Sequence, residues 1–260
     1  MNLSQQEKEK LITFLGCGNA DAPIWFIGME PGACEKCLSL EENVEVRINS
    51  FGETISLSEA HHLLKEDNQK PSQVWLFASK IIRSLLNASD WDNTEKAKEY
   101  IHMKLGAING ITLAVELLPL PRPNIKIWPG IYKELFRNYK TYKEIILKKR
   151  LEFLKKKILI HKPKFIFAYG PGNHNDYRKL SGVETKWAYF PDLLKGCSSS
   201  DSYSSDRALS YVFIGTSNET IYVLLPFLGN GWIGHNDIKI ITGYLKDNFP
   251  DKVQGITTSF

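Results

Sequence analysis

Cysteine is scarce: the four residues at 17, 34, 37 and 197 are too few and too irregularly spaced for the disulfide framework of a small secreted domain. Reduced thiols are expected. No apolar run approaches the roughly 20 residues that span a bilayer, and the opening MNLSQQEKEKLITFL reads as a polar surface helix without the apolar core of a signal peptide. A cytoplasmic protein with no membrane partner is expected. An excess of one charge is lacking too. With 33 basic against 29 acidic residues, the net +4 permits a polyanionic partner but is not the imbalance of a protein that coats nucleic acid. A G-x-G-x-x-G fingerprint is missing, since Gly170 and Gly172 stand alone, so NAD and ATP are not indicated. What remains is 43% hydrophobic and 12% aromatic, enough to build one globular domain over residues 1–260.

Apolar runs at 24–27, 110–115, 165–170, 211–215 and 220–225 read as buried strands, with a shorter one at 186–190. Between them, helical periodicity runs over 3–15, 58–65, 72–86, 95–105 and 141–160, and Asn236 or Asp237 caps a final helix. Strands alternating with helices predict an α/β domain. The segment 16–23 reads as a loop, 34–57 as a loop region over one end of the sheet, and the polar GCSSSDSYSSD at 196–206 as a mobile loop. On the helix at 141–160, Lys148, Lys149, Arg150 and Lys155 to Lys157 are expected to face outward, with Ile145, Leu151, Leu154 and Ile158 inward.

The run Ile24-Trp25-Phe26-Ile27 passes straight into Gly28-Met29-Glu30-Pro31-Gly32, a buried strand ending in a tight turn that carries a carboxylate. Open α/β sheets bind ligands at that edge. This turn, the segment Glu116 to Arg122-Pro123, and Lys162-Pro163-Lys164-Phe165-Ile166-Phe167-Ala168-Tyr169-Gly170 together resemble, in order and spacing, the motifs of the uracil-DNA glycosylase superfamily. In that superfamily the first strand ends in G-x-(polar or acidic)-P-(G or aromatic), and its third position, here Glu30, handles the hydrolytic water. The resemblance implies an α/β/α sandwich around a central, mostly parallel sheet, and a monomeric, monofunctional DNA glycosylase with no cofactor. Glu116 falls at the base-reading position.

Two departures bear on the substrate. The family's His-Pro-Ser triplet after the last strand is replaced by Pro226-Phe227-Leu228-Gly229-Asn230-Gly231-Trp232-Ile233-Gly234-His235. Glu116 also stands where the family has an asparagine, and an ionised carboxylate accepts where an amide both donates and accepts. Both lean the substrate from plain uracil towards a modified or bulky pyrimidine, such as the hypermodified bases of phage DNA.

Cleaving an N-glycosidic bond develops positive charge on the sugar and negative charge on the departing base, so it calls for a carboxylate near the one and donors near the other. Glu30 meets the first need, its rival role being a cap for the following segment. Donors come from His235, Asn230 or the backbone of the 229–234 loop, although a lone histidine beside a helix start is commonly a surface residue. Glu116 reads the base or forms an ion pair with Arg122 or a lysine. Phe51 is the candidate stacking platform, Trp232 and Ile233 are the wedge for the gap left by a flipped base, and Arg122 is a DNA contact; for each aromatic or apolar residue the alternative is plain core. The lysines at 148–157 suit phosphates or are a solvated helix face. The Cys34-x-x-Cys37 pair lacks the partners of a metal site, so no metal is expected. Two other functions stay open: a nucleic-acid-binding protein that keeps the fold without the chemistry, and a nucleoside or nucleotide hydrolase.

Overall fold

The chain builds four parallel strands at its centre: β2 (Ile24–Gly28), β4 (Thr112–Glu116), β5 (Phe165–Tyr169) and β8 (Thr220–Leu225), in the order β4-β2-β5-β8. A computed structural model describes residues 1–67, 69–182, 185–195, 208–217, 219–229 and 231–257. The central strands read as unbroken apolar runs because helices cover both faces of the sheet. Ile24, Phe26, Phe165, Phe167 and Val223 belong to one core, which includes residues of α3 (Leu57–Leu63), α4 (Gln73–Leu85), α5 (Thr94–Met103), α8 (Phe190–Leu194), α9 (His235–Asn248) and α10 (Pro250–Thr257). Trp25, Ile27, Val115, Ile166 and Ala168 belong to the other, with residues of α1 (Gln5–Thr13), α2 (Leu40–Ser50), α6 (Tyr139–His161) and α7 (His174–Ser181).

The sheet is mixed rather than mostly parallel, which corrects the expectation. β1 (Gly16–Gly18) lies antiparallel to β4 and carries β3 (Thr54–Ile55) on its outer edge, while β7 (Phe213–Ser217) and β6 (Lys186–Tyr189) extend the other flank through antiparallel pairs, making eight strands among the described residues. The connection from β7 to β8 is too short for the crossover a parallel pair needs, so these neighbours fold as a hairpin. β1 replaces part of the expected 16–23 loop. A Cβ at Gly16 or Gly18 would collide with the carbonyl oxygens of Ala114 and Thr112, so only glycine lets β1 lie this close to β4.

The expected loop at 34–57 contains α2 and β3. A capping box starts α2: the Glu42 N–H donates to Ser39 Oγ at 3.3 Å, and the Ser39 N–H donates to the Glu42 carboxylate at 2.8 Å. Cys34 and Cys37 are joined as a disulfide rather than held as reduced thiols, because the turn closed by the Cys37 N–H on the Cys34 carbonyl brings their Cα atoms to 5.3 Å. On α6 the buried stripe runs through Tyr142, Ile146, Arg150, Leu151, Leu154 and Ile158, so Leu151, Leu154 and Ile158 face inward as expected and the departures are at 145 and 150. Arg150, expected outside, is 1% exposed, whereas Ile145, expected inside, is 47% exposed. The 196–206 segment and Cys197 lie outside the described residues. Among the described residues, no helix is long and apolar enough to cross a membrane.

Candidate active site

Gly28 pairs in register with Glu116, so β2 and β4 end level and their following loops run side by side. The Leu117 N–H donates to the Gly28 carbonyl at 2.9 Å, Leu118 to Met29 at 2.7 Å and Arg122 to Pro31 at 3.0 Å. This backbone zipper presents two acidic side chains at the carboxyl edge of the sheet.

Glu30 is clamped. The Arg122 Nε donates to Glu30 Oε1 at 2.8 Å, Nη2 reaches the same oxygen, and Nη1 donates to the Ile125 carbonyl at 2.9 Å. The guanidinium also lies over the Tyr139 ring, 4.0 Å from its centre. Both partners are buried, with 6% of the Glu30 side chain and 4% of the Arg122 side chain exposed. Burial pushes the Glu30 carboxyl up from its ordinary range, and Arg122, Lys143 and the Tyr139 hydroxyl oppose that shift. Oε2 is shielded from solvent and makes no hydrogen bond of good geometry; the Tyr139 hydroxyl approaches closely enough to favour the ionised form without closing one.

Glu116 has no such clamp. Its Oε2 is shielded and makes no hydrogen bond, while the residue as a whole keeps some accessible surface. The carboxyl lies directly over Gly28 beside Tyr169: a Cβ added to Gly28 would strike Glu116 Oε2 and stand 2.5 Å from the tyrosine hydroxyl. Burial pushes the Glu116 carboxyl up to about 8; Arg47 and Arg150 pull it down and Glu30 pushes it further up. Neither guanidinium binds the carboxyl. Arg47 Nε donates to Asn43 Oδ1 at 2.8 Å, and Arg150 donates to the carbonyls of Ile12, Phe14 and Glu116 itself.

Glu30, Glu116 and Arg122 thus meet in one cluster, but Arg122 pairs with Glu30 rather than with Glu116 and is buried rather than offered to DNA. The other expected residues lie apart. His235 opens α9, with Nε2 accepting from Lys80 Nζ at 2.8 Å and the Phe77 and Trp91 rings beside it. All these partners sit on or just after α4, and none touches Glu30 or Glu116. Phe51 ends α2 and packs on Phe14, ring centroids 5.3 Å apart, with Arg47 on its face, so it bridges α1 and α2 instead of forming a platform. Ile233 is 2% exposed and belongs to the core, which removes it as a wedge. Trp232 is partly exposed and meets Tyr211 edge-on at 5.7 Å. Asn230 lies outside the described residues.

Arg47, Tyr139, Lys143, Arg150 and Tyr169 shape the cluster without having been anticipated. The Ser39-Leu40-Glu41-Glu42 capping box marks the helix that carries Arg47, whereas nothing in the local sequence distinguishes Arg150 from its solvated neighbours. No family model matches the chain, and no curated protein matches it.

Proposed function

We propose that the protein is a DNA glycosylase of uracil-DNA glycosylase-like fold, which hydrolyses the N-glycosidic bond of a flipped-out pyrimidine and leaves an abasic site. The observation that carries this reading is the pair of buried carboxyl groups, Glu30 and Glu116, at the level ends of two adjacent parallel strands. Glu30, kept anionic by Arg122, stabilises the cationic sugar and orients the attacking water through Oε2, while Glu116 on the neighbouring strand addresses the base.

Two further features suit a DNA substrate. Lys140, Lys143, Lys148, Lys155 and Lys179, with Glu144 and Glu152 among them, line a cleft of ≈ 590 Å³ along α6; Lys143 and Lys179 pair with Asp176, and Lys143 also acts electrostatically on Glu30, so a cleft of net positive charge adjoins the acidic cluster. The loop that carries Arg122 exposes Ile125 by 75% and Ile127 by 59%, which makes these two the apolar candidates for filling the gap of a flipped base. DNA engaging the exposed 125–127 segment of this loop opens a path to Glu30 Oε2, which is closed to solvent in the free protein, while Arg122 stays on Oε1. The reading is tested by incubating the protein with DNAs carrying uracil, mismatched bases, and glucosylated or otherwise modified cytosines and scoring abasic sites. Release of one class of base is the expected result, and intact DNA throughout counts against the reading.

One observation favours a second reading. The Glu30 to Arg122 ion pair continues the backbone zipper between two loops, as a purely structural clamp would. Under that reading the protein binds nucleic acid without cutting, and Glu30 matters to stability alone.

A further inference from the structure

We propose that Glu116 reads the base as a neutral carboxylic acid, donating a hydrogen bond from one oxygen and accepting one at the other, so that the substrate is a pyrimidine whose edge sets an acceptor beside a donor. This rests on the glycosylase reading above and specifies its substrate class.

The geometry asks for the acid form. Glu116 Oε2 is shielded and has no donor, and no ion pair to the carboxyl forms among the described residues. Arg47 on α2 is turned to Asn43, and Arg150 on α6 is taken up by main-chain carbonyls. Glu30 beyond the end of β2 adds a negative charge that raises the Glu116 carboxyl further, while Tyr169 on β5, Tyr177 on α7 and Cys17 on β1 are uncharged neighbours whose own proton affinity the Glu116 charge would raise. An anionic oxygen in that setting has nothing to replace its lost water, so the proton stays. The absence of a Cβ at Gly28 leaves room for the carboxyl at the strand end, and the residue as a whole keeps some accessible surface.

The departure from the superfamily pattern then has a chemical meaning. A carboxylate only accepts, but a carboxylic acid carries one O–H donor and one carbonyl acceptor side by side, the same pair that an asparagine amide offers. Glu116 occupies the amide's position and, once protonated, reproduces its hydrogen-bonding pattern on a side chain one methylene longer. A base edge set farther from the end of β4 fits that reach.

Because the acid form is lost as the carboxyl ionises near pH 8, wild-type base release is expected to fall about tenfold per pH unit above that point. The Cys17 thiol, pushed up to about 12 by burial, does not titrate there. Glu116→Gln keeps a donor and an acceptor and cannot ionise, so the base release that it shows, whatever its rate, is expected to lack the alkaline fall, while Glu116→Ala loses release at all pH values. A wild-type profile that stays flat through this range, or an alkaline fall that persists in Glu116→Gln, overturns the proposal. A readout without substrate separates it from the activity: the infrared difference spectrum between wild type and Glu116→Gln should show a protonated carboxyl band at pH 7 that disappears near pH 8. An ionised Glu116 at pH 7 overturns the proposal even if base release is found. A protonated band with no base released from any DNA instead overturns the glycosylase reading, and the base-reading role with it.

Discussion

At the scale of single residues, Glu30 and Glu116 sit level on neighbouring strands yet differ in their company. Glu30 has a guanidinium on Oε1; Glu116 has none on its carboxyl. Removing Arg122 therefore leaves a buried carboxylate unpaired. Arg122→Ala is expected to destabilise the fold by about 3–5 kcal/mol in urea denaturation, and Arg122→Lys should recover little, since an ammonium cannot reproduce the guanidinium's three hydrogen bonds and its stacking on Tyr139. Glu116 gives a different signature. Its folded carboxyl is raised from 4.5 to about 8, so between those values the folded protein holds a proton that the unfolded chain has released. Its contribution to stability is complete below the lower value and drains away as pH rises to the upper one, by up to about 1.4 kcal/mol per pH unit. Urea midpoints measured across that window should fall more steeply for wild type than for Glu116→Gln. Glu30 could be singled out in the sequence because glycines and a proline bracket it after an apolar run. Arg150 could not, because a charged residue among lysines defaults to solvent until the phase of the helix is known.

At the scale of elements, capping and close approach decide what the local sequence reveals. The Ser39 and Glu42 box was legible in principle, but α2 has a weak apolar stripe, and its isolated β-branched residues among acids read as loop. Ser39→Ala is expected to cost about 1 kcal/mol and to speed hydrogen exchange through α2, the helix that carries Arg47. β1 and β3 were illegible for another reason: three residues with two glycines, and two residues, carry no period. Strand identity there comes from neighbours that the local sequence does not contain. On α6, reversing Lys148 and Lys155 to glutamate should weaken DNA binding on every sequence alike and flatten its salt dependence by roughly one unit of slope for each phosphate no longer neutralised. An unchanged slope would show that this lysine face is merely solvated.

At the scale of the whole molecule, the alternation of strands and helices was enough to predict an α/β domain, and helices on both faces of the sheet follow from strands that are apolar throughout. The order of the strands and the antiparallel flanks were not legible, because pairing joins segments that are distant in the chain. The same nonlocality separates the expected catalytic pair: Glu30 is bound into the β4 loop and α6, whereas His235 is bound to α4, so proximity in a family-like motif order did not make them neighbours. Glu116 takes the place beside Glu30 that the histidine was expected to share.

The central claim, that Glu30 works chemically at this edge, is tested most directly by single-turnover base release with Glu30→Gln, with affinity measured in parallel for the DNA from which wild type releases a base. The substitution keeps the shape and a hydrogen-bonding oxygen but removes the charge. Base release should fall by about 10²–10⁴-fold while DNA affinity is nearly unchanged. Release at the wild-type rate would contradict the account and leave Glu30 and Arg122 as a clamp between two loops.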